Sequence, residues 1–382
     1  MFDGLIRFIR EQYGTKEFIP LHAPVFVGNE QDYVRQTIES TFVSSVGAYV
    51  DRFENDIARY TGSPGAVATV NGTAALHIAL KLAGVQANDL VITQPLSVVA
   101  TCNAIAYCNA EPVFVDVDRS TLGLSPTALS DWLAEHAHIE GESCVTNDDH
   151  KIIRACVPMH TFGHPADLDR LQAICDQWRL ILVEDAAESL GSTYKGRHTG
   201  TFGKLGALSF NGNKILTTGG GGMILADHEL AARAKYLTTT AKKPHPYEYV
   251  HEETGYNYRL PNINAALGCA QLEQIDHFIA CKRELATRYA EHFQGSDLLF
   301  VLEPRDCQSN YWLNAVVCQD GKQREALIKA TNDNQIMTRP AWMLMNHLPM
   351  YAGSRSGPLN NAEFLAERLV NLPSSVLPEF YL

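Results

Sequence analysis

The chain has 382 residues, a formal net charge of −12, and 46% hydrophobic and 19% charged side chains. That length can bury a large core and suits two domains. The acidic balance argues against a nucleic-acid or anionic-membrane surface, where a basic patch is expected, and no apolar run reaches the roughly 18–20 residues that span a bilayer.

At the N-terminus, Met1-Phe-Asp-Gly-Leu-Ile-Arg-Phe-Ile-Arg-Glu11 mixes charge with apolar residues too often for the apolar core of a signal peptide. It predicts a short amphipathic helix within 1–14. The nine cysteines contain no C-x-x-C pair and sit mostly in apolar contexts. They read as core thiols in a reducing cytoplasm, and no metal site is expected.

From about 60 to 240 the pattern alternates strand and helix. Ala66–Val70 predicts a strand, followed at Asn71-Gly72-Thr73 by a helix over 74–82. Leu90–Thr93 and Pro112–Val117 predict strands that bracket a helix over Val98–Tyr107. Ser125-Pro126 reads as an N-cap with proline at the first helical position. Ile152–Met159, Leu180–Glu184, Ala207–Phe210 and Gly222–Leu225 predict further strands. A long helical stretch, Ile263–Phe293, leads into a smaller unit with a strand at Tyr311–Val317 and helices at Lys322–Ala330 and Asn361–Val370. The expected architecture is α/β, with a mostly parallel sheet covered on both faces. The expected division is a large domain over 1–262 and a small α+β domain over 263–382.

In such sheets, chemistry gathers beyond the carboxyl ends of the strands. Four groups fall there. Lys214 ends Ser209-Phe-Asn-Gly-Asn-Lys214 and precedes Thr-Thr-Gly-Gly-Gly-Gly222; Asp185 ends the apolar run Leu180-Ile-Leu-Val-Glu-Asp185. Pyridoxal phosphate (PLP) chemistry needs both. A lysine amine condenses with the cofactor aldehyde, and a carboxylate keeps the pyridine nitrogen protonated so that the ring accepts electrons. An isolated lysine would read as a solvated turn residue and an isolated aspartate as a helix cap; together they favour the cofactor. Gly72 and Thr73 open a helix whose free amides attract phosphate, where Thr73 adds a hydroxyl. Ser209 can donate to the same phosphate from the turn that carries Asn211 and Lys214. The run Gly219–Gly222 permits close approach of backbone to a ligand. His160, in Pro158-Met-His-Thr-Phe-Gly-His164, is either near the cofactor or a satisfied strand-end histidine.

Four segments appear in order: Asn71-Gly-Thr-Ala-Ala-Leu76, Val183-Glu-Asp-Ala-Ala-Glu-Ser189, Ser209–Lys214 with its glycine run, and Gly255-Tyr-Asn-Tyr-Arg-Leu-Pro-Asn-Ile-Asn-Ala-Ala266. Over roughly 20–350 this set resembles the nucleotide-sugar aminotransferases of PLP fold type I, the DegT/DnrJ/StrS group. Ile19-Pro-Leu-His22 and Thr41-Phe-Val-Ser-Ser-Val-Gly47 resemble the branch that makes bacillosamine and legionaminic acid precursors.

The resemblance implies a seven-stranded-type sheet and a cytoplasmic homodimer with shared active sites. It implies Lys214 as the cofactor lysine, Asp185 as the pyridinium partner, Gly72, Thr73 and Ser209 as phosphate ligands, and His160 near the cofactor. Asn257 would reach the phosphate of the neighbouring subunit. Two positions depart from the pattern. Glu188 stands where glutamine is frequent, and an ionised glutamate cannot donate to the cofactor's phenolic oxygen; it is expected to be protonated, turned away or reassigned. Val98 stands where an aromatic ring commonly stacks, an interaction worth about 0.5–1.5 kcal/mol.

The implied reaction has two halves: an amino acid, expected to be L-glutamate, leaves its amine on the cofactor as pyridoxamine phosphate, and a nucleotide-linked keto-sugar takes it. Lys214 moves the protons, and ping-pong kinetics follow. Lys242 (with Lys243), Arg259 and Arg339 are candidates for the substrate diphosphate, Arg339 because it sits among apolar residues. The branch points to C4 of a UDP-linked 2-acetamido-4-keto-2,6-dideoxyhexose, with GDP-4-keto-6-deoxymannose as the alternative. A sister group that deoxygenates sugars carries histidine at the lysine position, which Lys214 argues against. A non-catalytic sensor would not need lysine, aspartate and phosphate motifs together.

Overall fold

A computed structural model of the chain describes residues 2–381, so Met1 and Leu382, at the ends of the expected domains, lie outside the described residues. The alternation seen in the sequence becomes one nine-stranded sheet: β1 (Gly65–Thr69), β2 (Leu90–Thr93), β3 (Glu111–Phe114), β4 (Ala137–Glu140), β5 (Ser143–Thr146), β6 (Ile152–Val157), β7 (Ile181–Asp185), β8 (Leu205–Ser209) and β9 (Gly222–Ala226). Seven of these lie side by side in the order β1-β9-β8-β7-β6-β2-β3. Along that path only β9 runs against its neighbours; β8, β7, β6, β2 and β3 pair in parallel. The β4–β5 hairpin joins through β5, which pairs with the start of β6. It turns through Gly141 at φ 58° and is an element that the sequence reading lacks.

Strands such as Leu90-Val-Ile-Thr93 are buried on both faces, as parallel strands under two helical layers must be. Helix α1 (Asp3–Tyr13) begins inside the expected N-terminal segment. Helix α2 (Gly72–Leu82) is buried over most of its length, and Asn71 caps it by accepting the Ala74 amide at 2.8 Å. Ser125 caps its helix in the same way, through the Ala128 amide, with Pro126 at the first position.

The C-terminal unit is α+β. Strands β10 (Leu299–Phe300), β11 (Asn314–Val317), β12 (Arg339–Pro340) and β13 (Leu369–Leu372) form an antiparallel sheet in the order β10-β11-β13-β12, with helices Gly321–Asp333 and Asn360–Arg368 beside it. The helix expected to run to Val370 stops at Arg368, because Leu369 and Val370 pair with Val317 and Val316. The single helix expected over 263–293 is two: Asn262–Leu272 and α3 (Ile275–His292). The first is rich in small residues and fits flat on helix Ala48–Thr61; a Cβ on Gly268 would meet the Phe53 ring at 2.7 Å. The second carries Leu285 and Tyr289 into a different cluster, with Val316, Val370 and, from α1, Leu5, Ile9 and Tyr13. Two cores require two directions, and the chain breaks at Glu273–Gln274. The N-terminal helix thus packs on C-terminal elements. Among the described residues the nine cysteines are free thiols, eight of them buried, and no helix is long and apolar enough to cross a membrane.

One lysine lies wholly inside this assembly. Lys282, on α3, donates to the carbonyls of Trp312, at 3.2 Å, and of Ser374. Burial lowers its pKa to about 7. The unfolded chain therefore binds this proton more readily than the folded one between about pH 7 and the ordinary lysine range near 10, and stability rises with pH across that window. Lys282→Met removes the titrating group, so urea unfolding at a series of pH values between 7 and 10 is expected to give a flatter stability profile than wild type. An unchanged slope would show that Lys282 is not its source.

Candidate active site

Where β6, β7 and β8 end, a cleft of about 410 Å³ opens between the large sheet and the C-terminal unit. Gly72, Thr73, Val98, Asp185, Glu188, Ser209, Asn211 and Lys214 all line it. Three larger hollows, of about 530, 610 and 870 Å³, contain none of these residues. Strand polarity, not cavity size, therefore locates the chemistry.

Asp185 is the last residue of β7 and is 2% exposed. Its Oδ2 accepts from Thr101 Oγ1 at 2.6 Å and its Oδ1 from the Ala187 amide at 3.2 Å. Burial nevertheless raises its pKa, against the opposing pull of these donors and of Lys214. Among the described residues it has no cation within ion-pair distance, so a protonated ring nitrogen is the partner its burial calls for.

The end opposite suits a phosphate. Among the described residues the Gly72 and Thr73 amides, at the first positions of α2, have no protein acceptor. The start of α2 lies against the end of β8: a Cβ on Gly72 would come within 2.9 Å of Ser209 Cβ. On the other side, a Cβ on Gly222 would sit 2.5 Å from the Asn71 carbonyl group. Glycine at both places brings free amides and the Ser209 hydroxyl onto one point.

Between these ends Lys214 is 8% exposed. Its Nζ lies 3.3 Å from Glu188 Oε1 and 3.9 Å from the centroid of the Trp312 ring. Glu188 is thus reassigned, in the terms set by the sequence: one oxygen faces the lysine and the other accepts the Phe162 amide at 2.9 Å. Burial raises its pKa while Lys214 and that amide oppose the shift. Val98 supplies an apolar wall, and Asn211 lies on the rim with its amide bonded to Asn213 at 3.0 Å.

His160 is a correction. It is fully buried and does not line the cleft. Its Nδ1 accepts the Ala166 amide at 3.1 Å, which leaves Nε2 to donate to Glu184 at 3.0 Å. Strand alternation turns Glu184 to the face opposite Asp185, and His160 follows it. The ring is satisfied structurally; only its backbone amide, bonded to the Asp185 carbonyl at 3.2 Å, supports the site.

Four further candidates also lie outside the cleft. Asn257 is exposed, and its Oδ1 accepts from Arg259 at 2.9 Å. Lys242 extends over the Tyr249 ring at 4.4 Å on an exposed hairpin. Arg339, expected among apolar residues, is exposed on the two-residue edge strand β12, as is Pro340 beside it. The sequence reading missed Trp312 and Trp342, which bring the C-terminal unit to the cleft, and Thr101. Thr101 could have been found as the hydroxyl one helical turn after Val98. The tryptophans carry no local signal.

A buried acid for a ring nitrogen, a lysine within the same cleft and a cradle of amides for phosphate define a PLP-dependent enzyme of fold type I. The profile of the DegT/DnrJ/EryC1/StrS aminotransferase family matches residues 26–378, and the chain belongs to that family. It is 37% identical over 360 residues to the GDP-perosamine synthase of Escherichia coli O157:H7, covering 94% of this chain and 93% of that one. It is 33% identical over 365 residues to the GDP-perosamine synthase of Vibrio cholerae, covering 93% and 94%. Among solved structures, the aminotransferase TlmJ from Streptoalloteichus hindustanus superposes with a TM-score of 0.83 at 30% identity, covering 94% of this chain and 93% of that one. The chain is thus a PLP-dependent sugar aminotransferase.

The contact between Gly72 and Ser209 gives a direct test. Overpacking here is expected to cost about 1–3 kcal/mol, so Gly72→Ala should weaken PLP binding roughly tenfold or more in a spectrophotometric titration, with an unchanged far-UV circular dichroism spectrum. Equal affinity would remove the glycine from the cradle.

Proposed function

We propose that this enzyme transfers an amino group from L-glutamate to the keto carbon of a GDP-linked 4-keto-6-deoxymannose. The reaction class rests on one observation, Lys214 and Asp185 lining one cleft together with Gly72, Thr73 and Ser209. Support for the sugar comes from the relatives named GDP-perosamine synthase, a GDP-linked amino sugar, at 37% and 33% identity over nearly the whole chain. The UDP-linked N-acetylhexosamine suggested by the N-terminal stretch gives way to this alternative.

When bound, the cofactor supplies an aldehyde to carry the amine and an electron-accepting ring. Asp185 holds the ring nitrogen protonated, and Gly72, Thr73 and Ser209 hold the phosphate. Lys214 Nζ takes the proton from the donor's α-carbon and later returns one to the sugar carbon. Glu188 balances the charge on Lys214 and fixes where its amine points. Trp312 covers the amine from the side of the C-terminal unit and excludes water, and its indole N–H, bonded to the Asn213 carbonyl at 2.7 Å, holds the lysine turn in place.

The reading includes a homodimer in which Asn257, Arg259 and Lys242 serve the neighbouring subunit's site. Two observations support it. None of the three lines its own cleft, although backbone bonds tie 257–259 to the end of β1. Large apolar and aromatic side chains stand exposed close by in sequence, with Tyr247 at 84% and Tyr249 at 83%.

Purified enzyme with PLP and L-glutamate is expected to convert GDP-4-keto-6-deoxymannose to its amine, detected by mass spectrometry with 2-oxoglutarate released, and Lys214→Ala to abolish this. Amination of UDP-linked keto-sugars alone would overturn the assignment of the sugar. Mixing Lys214→Ala with Asn257→Ala subunits, each strongly impaired by itself, is expected to restore a fraction of wild-type activity through mixed dimers. No restoration after verified subunit exchange would refute shared sites.

A further inference from the structure

A second constellation lies on the β4–β5 hairpin. His138 and Glu140 are two residues apart on β4, so their side chains leave the same face. His150, in the turn between β5 and β6, adopts φ 55° and brings its ring beside them. One ligand atom from each lies within 4.8 Å of the other two. Glu140 Oε2 is 3.2 Å from His150 Nδ1 and 3.7 Å from His138 Nε2. Ligands held about 2.0–2.1 Å from a tetrahedral Zn²⁺ stand roughly 3.3–3.4 Å apart. The constellation therefore needs little movement to close on an ion.

The surroundings orient the first ligand. Asn147 Nδ2 donates to the Glu135 carbonyl at 3.0 Å, which turns Asn147 Oδ1 toward His138. His138 Nδ1 lies 2.8 Å from that oxygen and so carries the ring proton. Nε2 faces the Glu140 carboxylate, and the same oxygen, Oε2, lies 3.7 Å from it and 3.2 Å from His150 Nδ1, so one carboxylate oxygen already gathers both rings. A carbonyl-type oxygen holding the remote N–H of a histidine is also the outer-shell partner that metal-ligating imidazoles use. Two neutral imidazoles and one carboxylate suit a divalent transition metal better than Mg²⁺ or Ca²⁺, which prefer oxygen alone.

We propose that His138, Glu140 and His150 bind one divalent transition-metal ion, of the Zn²⁺ or Co²⁺ type, with water at the open positions. No metal is expected from the sequence, whose cysteines form no C-x-x-C pair; a His-x-Glu pair closed by a distant histidine shows itself only once the hairpin is folded. The site is separate from amino transfer. It precedes Ile152, the first residue of β6, whereas the cofactor cleft lies beyond Val157, its last, about 20 Å along the strand. An ion here would staple β4 to the turn that also carries Asp148 and Asp149, which pair with Arg355 of the C-terminal unit at 2.7 and 2.6 Å.

Equilibrium dialysis of the tag-free, chelator-treated holoenzyme against Zn²⁺ at pH 7.5 tests this, with Co²⁺ and its visible absorption as a second probe. One equivalent is expected, weakened at least tenfold by His138→Ala, Glu140→Gln or His150→Ala and 10–100-fold by Asn147→Ala. Amino transfer by each variant is expected to stay at the wild-type rate. Stoichiometry and affinity unchanged in the His138→Ala/His150→Ala double variant would overturn the proposal, as would no binding to the wild type at millimolar ion.

Discussion

The structure turns on two adjacent carboxylates at the end of β7 that receive opposite treatment. Both are buried, and burial alone raises the pKa of each. Glu184 is given four donors: His160 and the amides of Gly200, Phe202 and Gly203. Their combined effect overcomes burial and lowers its pKa. Asp185, one residue on and therefore on the other face, is given two donors and no adjacent cation, and its pKa stays raised. Glu184 is completed by the fold, whereas Asp185 is left facing the cleft. The same strand thus supplies a structural anchor and a cleft-lining acid, and the period of two decides which is which.

The other parts of the site are consequences of close approach. α2 can start against β8 only through Gly72, and β9 can pass Asn71 only through Gly222. These contacts fix the amides of Gly72 and Thr73 relative to Ser209, and Ser209 opens the turn that ends at Lys214. Its Nζ is then clamped between the two units of the molecule, Glu188 from the large sheet and the Trp312 ring from the other side. Trp312 is itself anchored from behind, because its carbonyl accepts from buried Lys282 on α3. Trp312 thus ties the lysine turn to the C-terminal unit, alongside Asn310, which donates to the Glu188 carbonyl at 2.9 Å.

This arrangement explains what could be read from the sequence. Lys214, Asp185, Gly72, Thr73 and Ser209 were legible because each follows an apolar strand, and parallel topology brings strand ends together whatever their separation in the chain. His160 also follows a strand and was misplaced, because strand position alone does not say which neighbour claims a ring. Arg339 was misread for a related reason: apolar neighbours in sequence do not bury a residue on an exposed edge strand. The tryptophans were illegible because they reach the cleft from a unit whose docking depends on α3 changing direction at Glu273–Gln274. Nothing in the continuous helical pattern of 263–293 announces that break. It is set by two cores that only the folded chain possesses.

Glu188 shows how a departure from a family pattern acquires a physical meaning. A neutral amide at this position could still accept the Phe162 N–H, so that contact does not require a carboxylate. The contact with Lys214 is where the charge matters, because an amide oxygen could accept there but would bring no opposite charge. An amine held against an indole ring and largely out of water is stabilised by a counter-charge nearby, and Asp185 is already engaged by Thr101 and Ala187. Removing one member of a buried pair leaves the other uncompensated, which costs far more than the pair itself contributes. Burial raises the pKa of Glu188, and Lys214 and the Phe162 amide pull against that shift. Glu188 and Lys214 therefore form one buried pair, in which the carboxylate and the Trp312 ring together set where the amine sits.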